Sequence, residues 1–305
     1  MLLTIAAGAA IALAIPQGTD TTFAVAANAR LDLQNYAGEI VIETWARSEV
    51  RIVADHSRRE SITVEQQEGI VRVRPASWKG GDADFEIEIE EGRVQWSRSG
   101  ARSPSLVEFT VTVPEGMPLD VGGPFTDVTI TGPVGETSVQ SNEGDVTLTA
   151  VRGPLTVRCV EGDVTITDVQ GRMRIHAIDG DVWIENASGD VVAETTDGDI
   201  HLIGVTSSNV EATSVDGDLQ FAGPLAAQGL YTFATHDGDV TVMLPRDAGA
   251  RVMVATYDGE VSSDFALDMP EDFSGRRARF TLGDGAAQLE IEAFDGDIEI
   301  RYLEN

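Results

Sequence analysis

From residue 137 onward, short runs of alternating apolar and polar residues are separated by glycine-centred turns, and the runs fall into columns when the turns are aligned. The turn reads acid-Gly-acid in Glu143-Gly144-Asp145, Glu161-Gly162-Asp163, Asp179-Gly180-Asp181 and Asp197-Gly198-Asp199, a repeat of 18 residues. Six residues before the first acid stand Leu155, Met173, Val191 and Val210; four before it stand Val157, Ile175, Ala193 and Ala212. After the turn, Val146, Val164, Val182 and Ile200 are followed two residues later by Leu148, Ile166, Ile184 and Leu202. Apolar residues at every second position on both sides predict two short strands per coil, with alternate side chains pointing inward. A third inward column is small: Ser141, Cys159, Ala177, Thr195 and Ser214.

Glycines midway between the acidic turns, at Gly135, Gly153, Gly171 and Gly189, mark a second turn in each coil. The fold class is therefore all-β: a parallel β-solenoid with two strands per coil, whose coils stack in chain order about 4.8 Å apart. The repeat continues at Asp216, Asp237, Asp258 and Asp295. Weaker copies at Phe125-Thr126-Asp127 and Ala37-Gly38-Glu39 bring the stack to about ten rungs. Every insertion falls at the second turn, including residues 222–229, 244–250 and 264–288, so one long edge is uniform and acidic while the other carries the loops. A longer excursion, residues 43–118, alternates in Val50-Arg51-Ile52, Ile70-Val71-Arg72-Val73, Phe85-Glu86-Ile87 and Phe109-Thr110-Val111, which predicts antiparallel hairpins. A short helix is expected only around Pro270 to Arg277. The resulting domain plan is a signal peptide over residues 1–14, an N-terminal β region over 15–118, and a solenoid domain over 119–305 continuous with it.

The N-terminal reading rests on the apolar run Leu2 to Ile15, which has the length of a signal-peptide core and is too short to span a bilayer as a helix. No Lys or Arg precedes it. Export to the periplasm, the cell surface or the medium is expected, with no transmembrane span. Net charge is −30, and Lys79 is the only lysine among 21 Lys and Arg residues, which excludes nucleic acid as a partner and favours cations or basic surfaces. Cys159 is the only cysteine, so no disulfide forms within the chain; it lies in the small inward column, as a buried, inert thiol would.

Two features carry candidate chemistry. The second acids of the turns, Asp145, Asp163, Asp181, Asp199, Asp218 and Asp239, place like charges one rung apart, where repulsion in water is about 1 kcal/mol per pair. A shared Ca²⁺ would relieve it, so this column is the metal candidate, against the simpler reading of a solvated acidic edge. The glycine turn explains the first acid and does not require the second. Trp183 and His201 fall one coil apart on an outward face, an exposed pair able to stack on a sugar ring or merely on each other. His176 lies between Arg158 and Glu194 in another outward column, without a nucleophile or a second acid to complete a catalytic set. One layer of side chains fills a coil this thin, so no cofactor is expected.

The spacing resembles the nonapeptide calcium rolls, which also use 18 residues per coil but place a glycine pair where this chain has one glycine between two acids. A wider resemblance is carried by Thr22-Phe23-Ala24-Val25, Gly38-Glu39-Ile40-Val41-Ile42-Glu43-Thr44-Trp45, Val111-Thr112-Val113-Pro114, Gly238-Asp239-Val240-Thr241-Val242-Met243-Leu244-Pro245 and Ala293-Phe294-Asp295-Gly296-Asp297-Ile298-Glu299-Ile300. Over nearly the whole chain after residue 20 it resembles the bacterial "putative adhesin" family of exported β-strand-repeat proteins. That resemblance implies a parallel β-solenoid at the cell envelope and transfers no ligand and no catalytic residue. The function expected is a non-enzymatic surface or envelope interaction module, binding a protein or a cell-surface polymer through its loop edge and sheet faces. The alternative is an envelope stress or sensing component that takes cationic peptides or wall polymers on the acidic edge. A carbohydrate-active β-helix enzyme is the weakest reading.

Overall fold

The computed structural model describes residues 14–15, 18–78, 87–90, 93–96, 106–266 and 277–303. Every regular element among them is a strand, and 26 strands join one continuous sheet that folds on itself into two faces. Face one stacks Thr137–Glu143, Leu155–Glu161, Met173–His176, Val191–Glu194, Asn209–Thr213 and Leu230–Asp237 in parallel. Face two stacks Val146–Thr149, Val164–Thr167, Val182–Glu185, Ile200–Ile203, Leu219–Ala222 and Val240–Leu244. The long strand Leu119–Thr131 rounds the acidic turn and belongs to both faces. This is the parallel β-solenoid that the columns predict: Leu155 pairs with Met173, Met173 with Val191, and Val191 with Val210.

The inward columns are closed to solvent, with Val157, Ile166, Ile175, Ile184 and Val191 at 0% exposure. A further buried column, Val134, Val151, Val169, Ala187 and Val205, seals the second turn from inside. Just before that turn the backbone passes through the left-handed region at Gly132, Ala150, Asp168, Asn186 and Gly204. Glycine, asparagine and aspartate tolerate that conformation best, and Ala150 accepts it under the constraint of the stack.

Both ends depart from chain order. At the C-terminal end Ala287–Asp295 lies between Leu230–Asp237 and Ala250–Asp258, and Ile298–Tyr302 lies between Val240–Leu244 and Val261–Ser263. The coil of Asp295 is therefore intercalated and the coil of Asp258 is outermost, which corrects the sequential stacking expected from spacing. At the N-terminal end the excursion supplies a rung beyond those counted: Ile70–Pro75 pairs in parallel with Arg30–Gln34, and Val107–Pro114 with Ala37–Trp45. The expected hairpins are present at Ile62–Gln67 with Ile70–Pro75 and at Ile87–Glu90 with Arg93–Trp96.

Antiparallel strands then close three of the four sheet ends, while face two stops at the parallel strand Val261–Ser263 among the described residues. Ile62–Gln67 lines one end of face one and Ala278–Leu282 the other, while Glu49–His56 and Gly18–Ala24 close face two at the N-terminal end. An open parallel edge is a template for another chain, and these strands occupy it. The signal-peptide expectation falls largely outside the described residues, of which Ala14 and Ile15 pair with Thr19 and Gly18. The helix expected around residue 270 also lies outside them.

The acidic turns stack backbone on backbone. At Gly180, φ is 139°, and a Cβ there would meet the Gly162 carbonyl oxygen at 2.3 Å. Gly180→Ala is expected to cost about 2–4 kcal/mol, from strain and collision together. Gly116 has φ of 76° with open space around it, so Gly116→Ala should cost only about 1–2 kcal/mol. Chemical denaturation of the two variants measures the difference.

The acidic turn edge as candidate functional site

Three side-chain columns build the edge. First acids stand in register from Glu143 through Glu161, Asp179, Asp197, Asp216 and Asp237 to Asp295 and Asp258. The second acids, unexplained by the turn, form a hydrogen-bonded ladder. Each carboxylate Oδ1 accepts the backbone N–H of the second acid one rung along: Asp127 from Asp145 at 3.0 Å, Asp145 from Asp163 at 3.0 Å, and Asp163 from Asp181 at 3.0 Å. The series continues from Asp181 to Asp199, Asp218 and Asp239 at 2.8 Å. Asp297 then donates to Asp239 at 2.7 Å and Glu260 donates to Asp297 at 2.8 Å.

The ladder has a backbone cause. The N–H groups flanking the second acid donate forward, Gly162 to the Asp179 carbonyl and Val164 to the Asp181 carbonyl. The N–H of the second acid points backward, where the turn offers no carbonyl in register, and the short aspartate side chain fills the gap. A charge-assisted bond contributes about 1.5–3 kcal/mol, which exceeds the roughly 1 kcal/mol of repulsion between solvated neighbours. The third column completes the turn from inside: Ser141 donates to the Thr126 carbonyl, Ser214 to Gly198, Thr235 to Gly217 and Thr256 to Gly296, at 3.0–3.1 Å.

Of the six candidate metal ligands, all but Asp199 are exposed; they stand one per rung, each already holding a neighbour's N–H. Among the described residues no three His, Cys, Asp or Glu side chains converge to hold a metal ion. Trp183 and His201 do come together on face two, ring centroids 4.6 Å apart and tilted by 42°. His201 Nδ1 lies 2.9 Å from Gln220 Oε1, and Trp183 is 38% exposed. On face one Arg158, His176 and Glu194 share a register, with His176 Nδ1 3.4 Å from Glu194 Oε2 in a half-exposed contact of the kind water screens. Cys159 is buried, and burial, followed by the charges of Asp145 and Asp163, pushes its thiol up to about 11.

One feature was not read from the sequence. The residue before the first acid points outward, and in successive rungs it is Asn142, Val160, Ile178, Thr196, Val215, His236, Phe294 and Tyr257. Six of these eight are apolar or aromatic, forming an exposed stripe beside the carboxylates that Thr196 interrupts. Phe294 is 48% and Tyr257 58% exposed. The intercalated coil places Phe294 between the other two rings, 4.7 Å from His236 and 4.8 Å from Tyr257, with the latter pair within 2° of parallel. The period-two pattern marks the column as outward, but only the true rung order brings the rings together.

Asp181→Asn keeps an acceptor oxygen and should change stability by no more than about 0.5 kcal/mol, whereas Asp181→Ala removes the acceptor of the Asp199 N–H and, net of the carboxylate repulsion it relieves, should cost about 1 kcal/mol; urea unfolding distinguishes them. Cys159 should not react with a thiol reagent at pH 8 in the folded protein and should react fully in denaturant, as mass spectrometry would record.

No helix among the described residues is long and apolar enough to cross a membrane. The fold is similar to a solved "putative cell adhesion protein" from Clostridium sporogenes ATCC 15579, at 11% identity over 94% of this chain and 100% of that one, with a TM-score of 0.25. It is also similar to a "putative adhesin" from Bacteroides fragilis NCTC 9343, at 11% identity over 93% and 97% of the chains, TM-score 0.33. A "putative adhesin" from Parabacteroides merdae ATCC 43184 gives 11% identity over 93% and 96%, TM-score 0.32. No curated protein matches the chain. The Toastrack DUF4097 family model matches residues 29–301, and the chain belongs to that family.

Proposed function

We propose that the protein is an exported, non-enzymatic interaction module of the cell envelope or surface, and that it engages its partner through the acidic turn edge. The observation that carries this reading is the alignment of two carboxylate columns and an apolar stripe on one continuous edge, with a core packed solid behind them. The loop edge is the less favoured surface because its insertions are used internally. Ala278–Leu282 caps a face, Phe265 packs on Tyr302 at 4.5 Å between centroids, and the Tyr231 hydroxyl accepts the Ala226 N–H at 2.7 Å. Trimming residues 264–288 would therefore strip a cap strand along with the loop.

The test is binding of the purified protein to isolated envelope from its host across a salt series. Attachment through the turn edge should be lost by a few hundred millimolar salt, because exposed charges are screened over less than about 8 Å there. Binding that ignores salt and disappears in Trp183→Ala would move the site to the Trp183–His201 pair on face two and overturn the edge reading.

A further inference from the structure

We propose that face two carries a binding track for an uncharged, extended glycan, centred on Trp183. This goes beyond the reading above, which assigns the turn edge to a charged partner, and it rests on different residues. In one outward column of face two, Thr129, Thr147, Thr165, Trp183, His201 and Gln220 follow one another on six consecutive rungs. Each is a hydroxyl, an amide or a ring, and no Asp, Glu, Lys or Arg interrupts them, although those four residue types make up 24% of the chain. The column runs on to Thr241 and meets a carboxylate only at Glu299.

Trp183 is 38% exposed. Among the described residues its indole N–H has no hydrogen-bond partner, and neither have the hydroxyls of Thr129, Thr147 and Thr165. His201 stands on one side of the indole, with ring centroids 4.6 Å apart. On the other side stands Thr165, whose short side chain leaves the room that a ring there would fill. Gln220 holds His201 through Nδ1 at 2.9 Å and leaves Nε2 for a ligand. Asp163 and Asp181, two residues before Thr165 and Trp183, give Oδ1 to the ladder and keep Oδ2 as an acceptor. A pyranose ring complements this set: its C–H face lies against an aromatic ring, and its rim of hydroxyls both donates and accepts. The ring is also comparable in length to the rung spacing of ~4.8 Å, so a glycan laid along the axis can repeat its contacts rung by rung. Charge narrows the occupant further. An anionic polymer is repelled by the neighbouring ladder and the net charge of −30, and a basic polypeptide finds its carboxylates on the turn edge and none in this column. A second copy seated face to face would bring its own acidic ladder against this one.

The experiment is titration calorimetry of the full chain with soluble pentasaccharides, cellopentaose and chitopentaose as uncharged probes and pentagalacturonate as an anionic one. An uncharged probe should bind in the millimolar range, with the same affinity at low salt and at a few hundred millimolar salt, and pentagalacturonate should not bind. Trp183→Ala should weaken that binding about tenfold or more, while Trp183→Phe, which keeps a ring, should retain most of it. Thr165→Val removes a hydroxyl and keeps the side-chain shape, and should weaken binding about two- to threefold. Melting temperatures within error of wild type would show that the variants are folded. Failure of both uncharged probes to bind at millimolar concentration, an affinity unchanged in folded Trp183→Ala, or tighter binding of pentagalacturonate overturns the proposal. A millimolar contact does not hold the protein on the envelope by itself. Salt-sensitive attachment through the edge would therefore stand in each of those cases, so the two readings fail separately.

Discussion

The structure depends on one contact, the laying of each turn's backbone directly on the turn before it. At one rung spacing there is no room for a Cβ at the corner: one added at Gly162, Gly180 or Gly198 would lie within 2.6 Å of the carbonyl oxygen of the glycine one rung back. Everything else at the edge answers a need created by that closeness. The serine and threonine hydroxyls of the inner column satisfy the corner carbonyls, and the second-acid carboxylates satisfy the N–H that the turn directs backward. An edge that looks like a store of charge for a ligand is first a solution to backbone hydrogen bonding.

The same logic assigns meaning to the exceptions. Aspartate fills the second-acid column from Asp127 to Asp297, and glutamate replaces it only in the coils of Gly38 and Gly259. Glu260 sits on the outermost rung of the ladder, where among the described residues no further second-acid N–H follows and the longer side chain is tolerated. In chain order Glu260 would interrupt the column; in spatial order it ends the ladder. The sequence exception and the intercalated coil are thus two views of one fact.

Much of the fold was legible because inward columns at period two admit only strands, and a constant 18-residue spacing admits only stacking. What periodicity does not encode is the order of rungs once spacing is broken. The insertions of residues 244–250 and 264–288 leave enough chain for the last coil to slip inside its predecessor. The reading that put Asp258 before Asp295 followed the chain, and the chain does not dictate the order there. The Trp183–His201 contact was legible because no insertion separates their rungs. The Phe294–Tyr257 stack was not, because it exists only through the exchange.

A core filled by one layer of side chains leaves recognition to the surface, and the surface repeats with the period of the backbone. Rungs succeed one another every ~4.8 Å, whereas an extended peptide returns a side chain to the same face every two residues, about 6.8 Å. The two periods do not match over any length, so a peptide laid along the edge cannot place each side chain in an equivalent pocket. Discrimination along most of the edge must then come from composition, from charge density and apolar content, and not from register.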